Sequence, residues 1–520
     1  MDRARRFIYS ASFTSLSCLI AMYLAFHGTL AENGLTSDKV DFWGRRRAAA
    51  EVGTDNLQDP ASCRNIRIGL SDVFAGESVE ISSPGGVRYV CGSKSGVAPS
   101  VKLSISENMF GTLRLKAVND KGKILVQSEK ETFFVCPAEA EAGKDWYSSD
   151  DLSAFSRFAC KVKRDSQQDT ESYRGILCLS LKKGTKSYLE LINRLALEDY
   201  LKGVVPCEAP DTFHPEALKT MACIARSYAL CNLRRHEADG FDLCSRVHCQ
   251  KYGGADKESD AVSEQIESTA GEVLYFGKLI ANSNYFSTCG GSGEEPGSIW
   301  QNQANSYPYM KTYSDTKDAA PWYEYSYKSY NDDVELDGEK FKALADKDGF
   351  IENSAVIEKK FRYFIDSKPD CFCSGSNRFR WTAELTVEDF NSKLKESLPK
   401  LCGAKAEDIG AVTELKVAKR TKGGRCAEFD IVTDKGSFKV LGDEVRWIVS
   451  QGSVNSLSLN SALFYVDMDD KHVTFTGGGW GHGVGMCQYG MNGRAMAGNT
   501  YKDIISYYYP GCAVRSFNNF

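Results

Sequence analysis

The chain has 520 residues, enough for two or more domains, and its hydrophobic content of 42% is sufficient for a packed core. Its formal net charge of −5 at pH 7 is a mild acidic excess. Domains that bind nucleic acid usually carry a basic face, so the charge balance argues against a nucleic-acid partner.

Residues 1–31 have the layout of an export signal. Arg3, Arg5 and Arg6 precede an uncharged apolar run that ends in small residues before Glu32. The run is also long enough to cross a bilayer, which takes about 20 residues. The sequence therefore predicts an exported protein, in the periplasm or at the outer face of a bacterial inner membrane. The segment is either a cleaved signal peptide or a retained membrane anchor.

The count of 18 cysteines is high. An exported protein can form disulfides, but their connectivity cannot be read from a sequence. Cys18 lies in the export segment, so its removal would leave an odd number of cysteines. At least one of the others would then be free, metal-bound or intermolecular.

Two regions of different character follow the export segment. Residues 32–65 are polar and irregular, which indicates a linker. Residues 66–136 consist of short apolar, β-branched runs separated by turn signals such as Pro84-Gly85-Gly86, a pattern that predicts a β-rich region.

Residues 173–515 mix strand patterns with helical periodicity, so the fold class predicted for the chain is α+β. A helix is expected from Leu197 to Val205, ended by Pro206. A second helix is expected to begin at Pro215. Further strands and helices follow, with an insertion at about residues 316–377 that is polar and aromatic and to which the pattern assigns no role.

The segment Thr474 to Gly490, TFTGGGWGHGVGMCQYG, is the richest in glycine. Glycine permits positive φ angles and close approach of other groups. One interpretation is a flexible loop that lines a groove for a long polar ligand. The alternative is a glycine-rich turn around a buried Trp480.

Glu208 is the candidate general acid. It is expected just past the end of the first helix, where the helix dipole and apolar neighbours would both disfavour its charge. Both effects raise the pKa of a carboxyl, as a general acid acting near neutrality requires. The alternative is a solvated loop glutamate.

A cluster of histidines and cysteines follows the second helix, and it comprises His236, Cys244, His248 and Cys249. Two Cys and two His make a plausible tetrahedral zinc set. The competing interpretation pairs Cys244 or Cys249 with another cysteine, such as Cys231, in a disulfide. A zinc ion with four protein ligands would be structural, since it leaves no open position for chemistry.

Four separated segments together resemble the stage II sporulation protein D family, also called the amidase-enhancer family. They read LEDYLKGVVPCEA, PEALKTMACIARSYAL, GGGWGHGVGMCQYG and YKDIISYYYPG, and they occur in the family's order. The resemblance implies a two-lobed body with a substrate groove. It also supports the zinc interpretation, because some family members bind zinc through a comparable arrangement.

The resemblance implies a peptidoglycan lytic transglycosylase with Glu208 as catalytic acid. Its substrate would be glycan strands without stem peptides, cleaved between N-acetylmuramic acid and N-acetylglucosamine to leave 1,6-anhydro ends. A partner amidase would remove the peptides. The alternative is a non-catalytic glycan-binding protein that enhances such an amidase. The sequence does not choose between sporulation, division and general wall remodelling.

The same segments supply candidate substrate-binding residues, which are Arg226, Tyr228, Ser287, Trp480, His482, Gln488 and Tyr489. Arg226 could pair with the lactyl carboxylate of a muramic acid, or it could form a structural salt bridge. Cys487 stands where the family usually has serine, which puts any family role of that position in doubt.

Overall fold

A computed structural model describes residues 65–517, with gaps at 71, 75, 184–185, 301–306, 326–337, 347–348 and 450–457. The predicted export segment and the linker up to residue 64 lie outside the described residues. None of the helices in the described part is long and apolar enough to cross a membrane.

The described strands, numbered in chain order, are β1 Asn65–Gly69, β2 Val73–Phe74, β3 Ser78–Cys91, β4 Lys94–Glu107, β5 Leu113–Asn119, β6 Ile124–Ser128, β7 Phe133–Pro137, β8 Ala159–Arg164, β9 Thr170–Arg174, β10 Ile176–Lys182, β11 Tyr188–Ala196, β12 Leu243–Cys244, β13 Glu272–Phe276, β14 Leu279–Ile280, β15 Tyr285–Phe286, β16 Ser292–Gly293, β17 Tyr313–Ser314, β18 Ile351–Glu352, β19 Arg380–Thr386, β20 Val412–Arg420, β21 Cys426–Thr433, β22 Gly436–Leu441, β23 Phe464–Met468, β24 His472–Gly478, β25 Met486–Cys487 and β26 Ala513–Ser516. The described α-helices are α1 Leu197–Glu208, α2 Pro215–Cys231, α3 Asp260–Ser268, α4 Pro296–Ile299, α5 Gly338–Ala343, α6 Ala355–Ser367, α7 Val387–Leu401, α8 Gln488–Met496 and α9 Tyr501–Tyr508. This mixture of segregated strands and helices confirms the α+β prediction.

The largest sheet has the strand order β12-β1-β11-β10-β7-β3-β4-β5-β6, with β2, β8 and β9 attached beside it. Strands β3 and β7 come from the predicted β-rich region, whereas β10 and β11 lie within residues 173–515. Because β7 pairs with both β3 and β10, the sheet is continuous across the proposed boundary between the two regions.

Helix α1 packs against this sheet at β1 and β11, whereas α2 packs against α1 and against β13 of the separate sheet β14-β13-β26. Helix α2 begins at Pro215 as predicted. His214 caps it, since the Glu216 backbone N–H donates to His214 Nδ1 at 3.2 Å. The end predicted for α1 was wrong, because the helix continues through Pro206 to Glu208. Pro206 removes one N–H from the last turn, yet the Ala209 N–H still donates to the Val205 carbonyl at 2.8 Å and closes that turn.

A second hydrophobic core lies in the C-terminal half, between α7, the sheet β18-β20-β21-β22 and the sheet β19-β24-β23. The insertion adds a third core, in which Trp322, Phe361 and Phe364 are fully buried. Glu358 of α6 binds the buried Arg420 of β20 at 2.7 Å. The described part of the insertion is therefore a packed element of the fold.

Candidate active site

The structure brings Glu208 into contact with the glycine-rich segment, although 280 residues separate Glu208 from Gln488. The Gln488 side-chain Nε2 donates to the Glu208 backbone carbonyl at 2.9 Å and lies 3.4 Å from carboxylate Oε2. Gln488 is the first residue of α8, and the parallel pairing of β15 with β25 places that helix beside the end of α1. Both segments predicted to carry the site therefore meet at one carboxyl group.

Two further groups hold the Glu208 carboxyl, and sequence reasoning missed both. The backbone N–H of Lys251 donates to Oε1 at 2.8 Å. The Tyr285 hydroxyl also forms a hydrogen bond to Glu208, and it accepts one from Gln250 Nε2 at 3.1 Å. Tyr285 could have been found from its position two residues before Ser287, but a backbone amide leaves no signal in a sequence.

Burial raises the pKa of the half-buried Glu208 carboxyl above its ordinary value. The hydrogen bonds from Lys251, Gln488 and Tyr285 favour the carboxylate and partly offset this rise. Such an environment suits a group that gives up a proton and then carries a charge, since each of the two states has its own stabilisation.

The glycine-rich segment is tightly packed, which differs from the flexible loop in the first interpretation. At Gly483, which has a φ of +90°, an added Cβ would lie 2.4 Å from the Arg425 guanidinium carbon. At Gly485, with a φ of +78°, it would lie 1.9 Å from the Asn284 carbonyl oxygen. Glycine is needed at these positions for close packing and for the backbone conformation.

Both ring nitrogens of His482 form hydrogen bonds to the protein backbone. The Val484 N–H donates to Nδ1 at 3.0 Å, so Nε2 carries the proton and donates to the Tyr285 carbonyl at 3.1 Å. Burial lowers the pKa of His482 to about 4, so the ring is neutral at ordinary pH. Because both ring nitrogens are already used, His482 supports the segment from within, and the predicted role in binding substrate is not favoured.

The other candidates from the glycine-rich segment and its partner strand differ in how exposed they are to solvent. Trp480 is 41% exposed, with the Arg378 guanidinium 4.2 Å above its ring, so the alternative of a buried tryptophan is wrong. Tyr489 is partly buried, and its ring meets Phe213 edge-on at 5.3 Å. Ser287 is partly buried and lies 3.2 Å from the neighbouring Thr288 hydroxyl. Trp480 is the one of these that offers a broad apolar surface to a ligand.

Tyr228 and Arg226 are buried on the same helix, α2. The Tyr228 hydroxyl accepts a hydrogen bond from Arg235 at 2.9 Å. Arg226 is only 1% exposed and binds Glu198 through two hydrogen bonds of 2.8 Å, with a third to the Glu272 carbonyl. Its guanidinium is thus occupied, and the structural salt bridge is the arrangement observed. Glu198 is held in this ion pair although its side chain is partly exposed.

Replacing Arg226 by Ala is expected to lower the free energy of unfolding by about 3 kcal/mol, because it removes a buried ion pair and leaves a cavity. The KM of any glycan substrate should change little in the fraction that remains folded. Denaturant unfolding and steady-state kinetics measure the two effects. Unchanged stability together with a large rise in KM would restore the substrate-binding role.

The predicted metal-binding residues converge. The donor atoms of His236, Cys244, His248 and Cys249 all lie within 4.8 Å of one another. Four of the separations between them are 3.3, 3.4, 3.5 and 3.7 Å. A tetrahedron built on zinc bonds of about 2.0–2.3 Å has edges of about 3.3–3.8 Å, so the donor set fits zinc.

The cysteines in the described part of the chain are free thiols in the structure, including Cys231. The Cys231 thiol donates to the Ile280 carbonyl at 3.2 Å. The disulfide considered between Cys231 and the cluster is therefore not formed in the structure.

Glu208, α2 and the Cys/His cluster fall within residues 185–276, which match the family described as Stage II sporulation protein. The chain therefore contains a domain of that family, and the predicted resemblance is confirmed. Residues 294–485, which include the insertion, match a second family described only as a domain of unknown function (DUF8618).

Similarities to individual curated proteins agree with this family match. The chain is 26% identical over 327 residues to the amidase enhancer of Bacillus subtilis, a match that spans 61% of this chain and 40% of that protein. It is 25% identical over 344 residues to stage II sporulation protein D of the same organism, spanning 63% of this chain and 77% of the relative. An uncharacterized protein of Brachyspira hyodysenteriae is 26% identical over 331 residues, spanning 63% and 69%.

Proposed function

We propose that the chain acts in the cell wall as an exported lytic transglycosylase that cleaves peptide-free peptidoglycan strands. The observation that carries the proposal is the half-buried Glu208 carboxyl, held between the Lys251 amide and the Gln488 side chain. The similarity to stage II sporulation protein D and to the amidase enhancer supports a role in the cell wall.

In the proposed reaction, protonated Glu208 gives its proton to the glycosidic oxygen between N-acetylmuramic acid and N-acetylglucosamine. The bond from that oxygen to muramic C1 breaks. The Glu208 carboxylate then takes the proton from the muramic C6 hydroxyl as that oxygen bonds to C1. The products are a 1,6-anhydromuramic end and a free N-acetylglucosamine 4-hydroxyl. No water is consumed, and Glu208 returns to its protonated state.

One carboxyl is sufficient for this sequence, whereas ordinary glycosidases need two that flank the bond. In the part of the chain that the structure describes, Glu208 forms no hydrogen bond with a second carboxyl group. The three hydrogen bonds to Glu208 stabilise the carboxylate between the two proton transfers.

The test is product analysis. The purified full-length chain is incubated with amidase-treated glycan strands and, separately, with intact peptidoglycan, and the products are examined by mass spectrometry. Anhydromuramic ends from the peptide-free strands are expected, with little release from intact peptidoglycan. Reducing ends would instead indicate a hydrolase, and no cleavage would refute the catalytic proposal.

Removing the Gln488 side chain is expected to move the alkaline limb of activity to higher pH. The Gln488 N–H favours the Glu208 carboxylate and so lowers its pKa. In Gln488→Ala the pKa rises, and the acid stays protonated over a wider pH range. The dependence of kcat/KM on pH reports this value for the free enzyme.

The matched control is Asn492→Ala, one turn further along α8. Asn492 accepts a hydrogen bond from the His214 N–H at 2.8 Å but makes none to Glu208. The pH profile of kcat/KM for Asn492→Ala should coincide with that of the unmodified chain. If the alkaline limb of the kcat/KM profile of Gln488→Ala stayed in place or moved to lower pH, the assignment of Glu208 as the acid would be contradicted.

A second candidate function rests on the relative named amidase enhancer. Here the chain binds peptidoglycan strands and stimulates a partner amidase without cutting glycan. The two functions differ at Glu208, because binding and stimulation would survive Glu208→Gln whereas cleavage would not. An amidase partner is part of both proposals, since peptide-free strands must first be made.

A structural zinc ion is also proposed, held by His236, Cys244, His248 and Cys249. When bound, it supplies a cross-link between the end of α2 and the chain that returns to the site. Lys251, whose N–H binds the Glu208 carboxylate, lies two residues after Cys249. The four side chains therefore fix the position of one of the groups that hold the acid.

A further inference from the structure

A second cluster of metal-binding side chains includes Cys487 of the glycine-rich segment, and the sequence pattern did not reveal it. Cys289, Asp315, Cys373 and Cys487 have donor atoms that all lie within 4.8 Å of one another, and all four residues are buried. Cys289 Sγ is 3.4 Å from Cys373 Sγ and 3.3 Å from the Asp315 carboxylate Oδ2. These separations lie near the edges of a tetrahedral zinc site, about 3.3–3.8 Å.

The carboxylate of this cluster is already oriented toward the sulfur atoms. Arg494 Nη2 donates to Asp315 Oδ1 at 2.9 Å, and the Tyr508 hydroxyl donates to the same oxygen at 3.1 Å. The other oxygen, Oδ2, is left facing Cys289. Outer partners of this kind fix the orientation of metal-ligating carboxylates.

The sulfur atoms sit where backbone N–H groups converge. The N–H groups of Cys289 and Gly490 point at Cys487 Sγ, at 3.1 and 3.2 Å. The Gly291 N–H points at Cys289 Sγ at 3.4 Å. Cys487 also caps the N-terminus of α8, whose dipole favours a negative charge. With a metal bound, these N–H groups would donate to thiolate sulfur atoms, the form in which cysteine is a ligand.

The close approach of α8 to the cluster accounts for one of its glycines. A Cβ at Gly490 would lie 2.2 Å from Asp315 Oδ2 and 2.3 Å from the Tyr508 hydroxyl. Any side chain there would displace the carboxylate oxygen that faces the sulfur atoms.

We propose that Cys289, Asp315, Cys373 and Cys487 form a second, structural zinc site. Three thiolates and a carboxylate carry four negative charges against the two of Zn²⁺, and the Arg494 guanidinium and the N–H donors offset the excess. Soft thiolates favour zinc over magnesium or calcium. The four ligands come from four separate segments, so the ion would join the turn after β15, the residue before the insertion, the end of the insertion and the start of α8.

The proposed second zinc site is linked through the chain to the site around Glu208. Gln488 directly follows Cys487, and Lys251 follows Cys249 by two residues. Each of these two hydrogen-bond donors to Glu208 is therefore anchored by a ligand of a different cluster. The second site also gives the insertion a function, because the insertion supplies Cys373 and begins directly after Asp315.

The first test is zinc content. The full-length chain and its variants are purified without added metal, and the zinc-to-protein ratio is measured by mass spectrometry. Two zinc ions per chain are expected, one in Cys373→Ser and one in Cys249→Ser. The control Cys426→Ser, which removes a buried thiol from the second hydrophobic core, should keep two. A ratio that Cys373→Ser leaves unchanged would overturn the proposal.

The second test needs no variant, and so it holds even if Cys373→Ser fails to fold. Crystals of the unmodified chain should show two anomalous-scattering peaks at the zinc edge, one of them between Cys289, Asp315, Cys373 and Cys487. A peak at the Cys/His cluster alone would overturn the proposal, as would a disulfide between Cys289 and Cys373. A peak in this cluster at the iron edge, with none at the zinc edge, would overturn the assignment of zinc to this site. Neither test depends on glycan cleavage, so failure of the proposed activity would not affect them.

Discussion

Glu208→Gln is expected to reduce cleavage of peptide-free strands by at least about 10²–10⁴-fold, the range typical for loss of a general acid. Glutamine has nearly the same shape as glutamate but cannot donate a proton to the glycosidic oxygen or accept one from the C6 hydroxyl. The Lys251 N–H can still donate to its amide oxygen, so the site should keep its form. Binding of the strands should therefore persist, and co-sedimentation with insoluble glycan measures it.

The matched control for this variant is Asp211→Asn. Asp211 is an exposed carboxylate three residues beyond Glu208, in the loop that follows α1. It loses the same charge without touching the site, and its activity should stay within about twofold of the unmodified chain. If Glu208→Gln kept full activity, Glu208 could not be the acid, and the amidase-enhancing function would become the better account.

Loss of the Cys/His cluster is expected to have the second largest effect. Cys249→Ser should lower the unfolding free energy by several kcal/mol, since zinc binding contributes about 10 kcal/mol or more to the folding of small zinc domains. The cleavage rate should fall at least about tenfold, because the segment that carries the Lys251 N–H would lose its anchor. Thermal unfolding and single-turnover kinetics measure the two effects.

A chelator strong enough to remove zinc from the unmodified chain should lower stability and cleavage at least as much as Cys249→Ser, because it would empty both proposed zinc sites. The matched control is Cys402→Ser, which removes an exposed free thiol far along the chain from the cluster. Its stability and its activity should not change. If Cys249→Ser left both the zinc content and the unfolding temperature unaltered, the structural zinc proposed for this cluster would be excluded.

Local signals were sufficient for much of the framework. The proline at the start of α2 and the Cys/His spacing each depend on residues close together in the chain. The structure places both of these as expected. The sequence assigned Glu208 and Gln488 to one site, but it did not predict the hydrogen bond between them.

The sequence was less informative where a long-range contact overrides a local preference. Pro206 was expected to end α1, but the helix continues past it to Glu208. His482 was a candidate for binding substrate, and Arg226 was a candidate either for binding substrate or for a structural salt bridge. Each is bonded to a group distant in sequence, His482 to the Tyr285 carbonyl and Arg226 to Glu198. Spacing shows which residue types are present, and it does not show whether their hydrogen-bonding groups are already occupied.

By itself, the sequence determined the α+β class, the resemblance to the Stage II sporulation protein family, the glutamate to test and one set of candidate metal ligands. Only the tertiary structure decided what surrounds that glutamate. Its hydrogen-bond donors are a backbone amide, a tyrosine and a glutamine, which come from three separate segments. The cluster of Cys289, Asp315, Cys373 and Cys487 likewise has no spacing to recognise. These residues meet because the strand pairing of β15 with β25 and the packing of the insertion bring distant segments together.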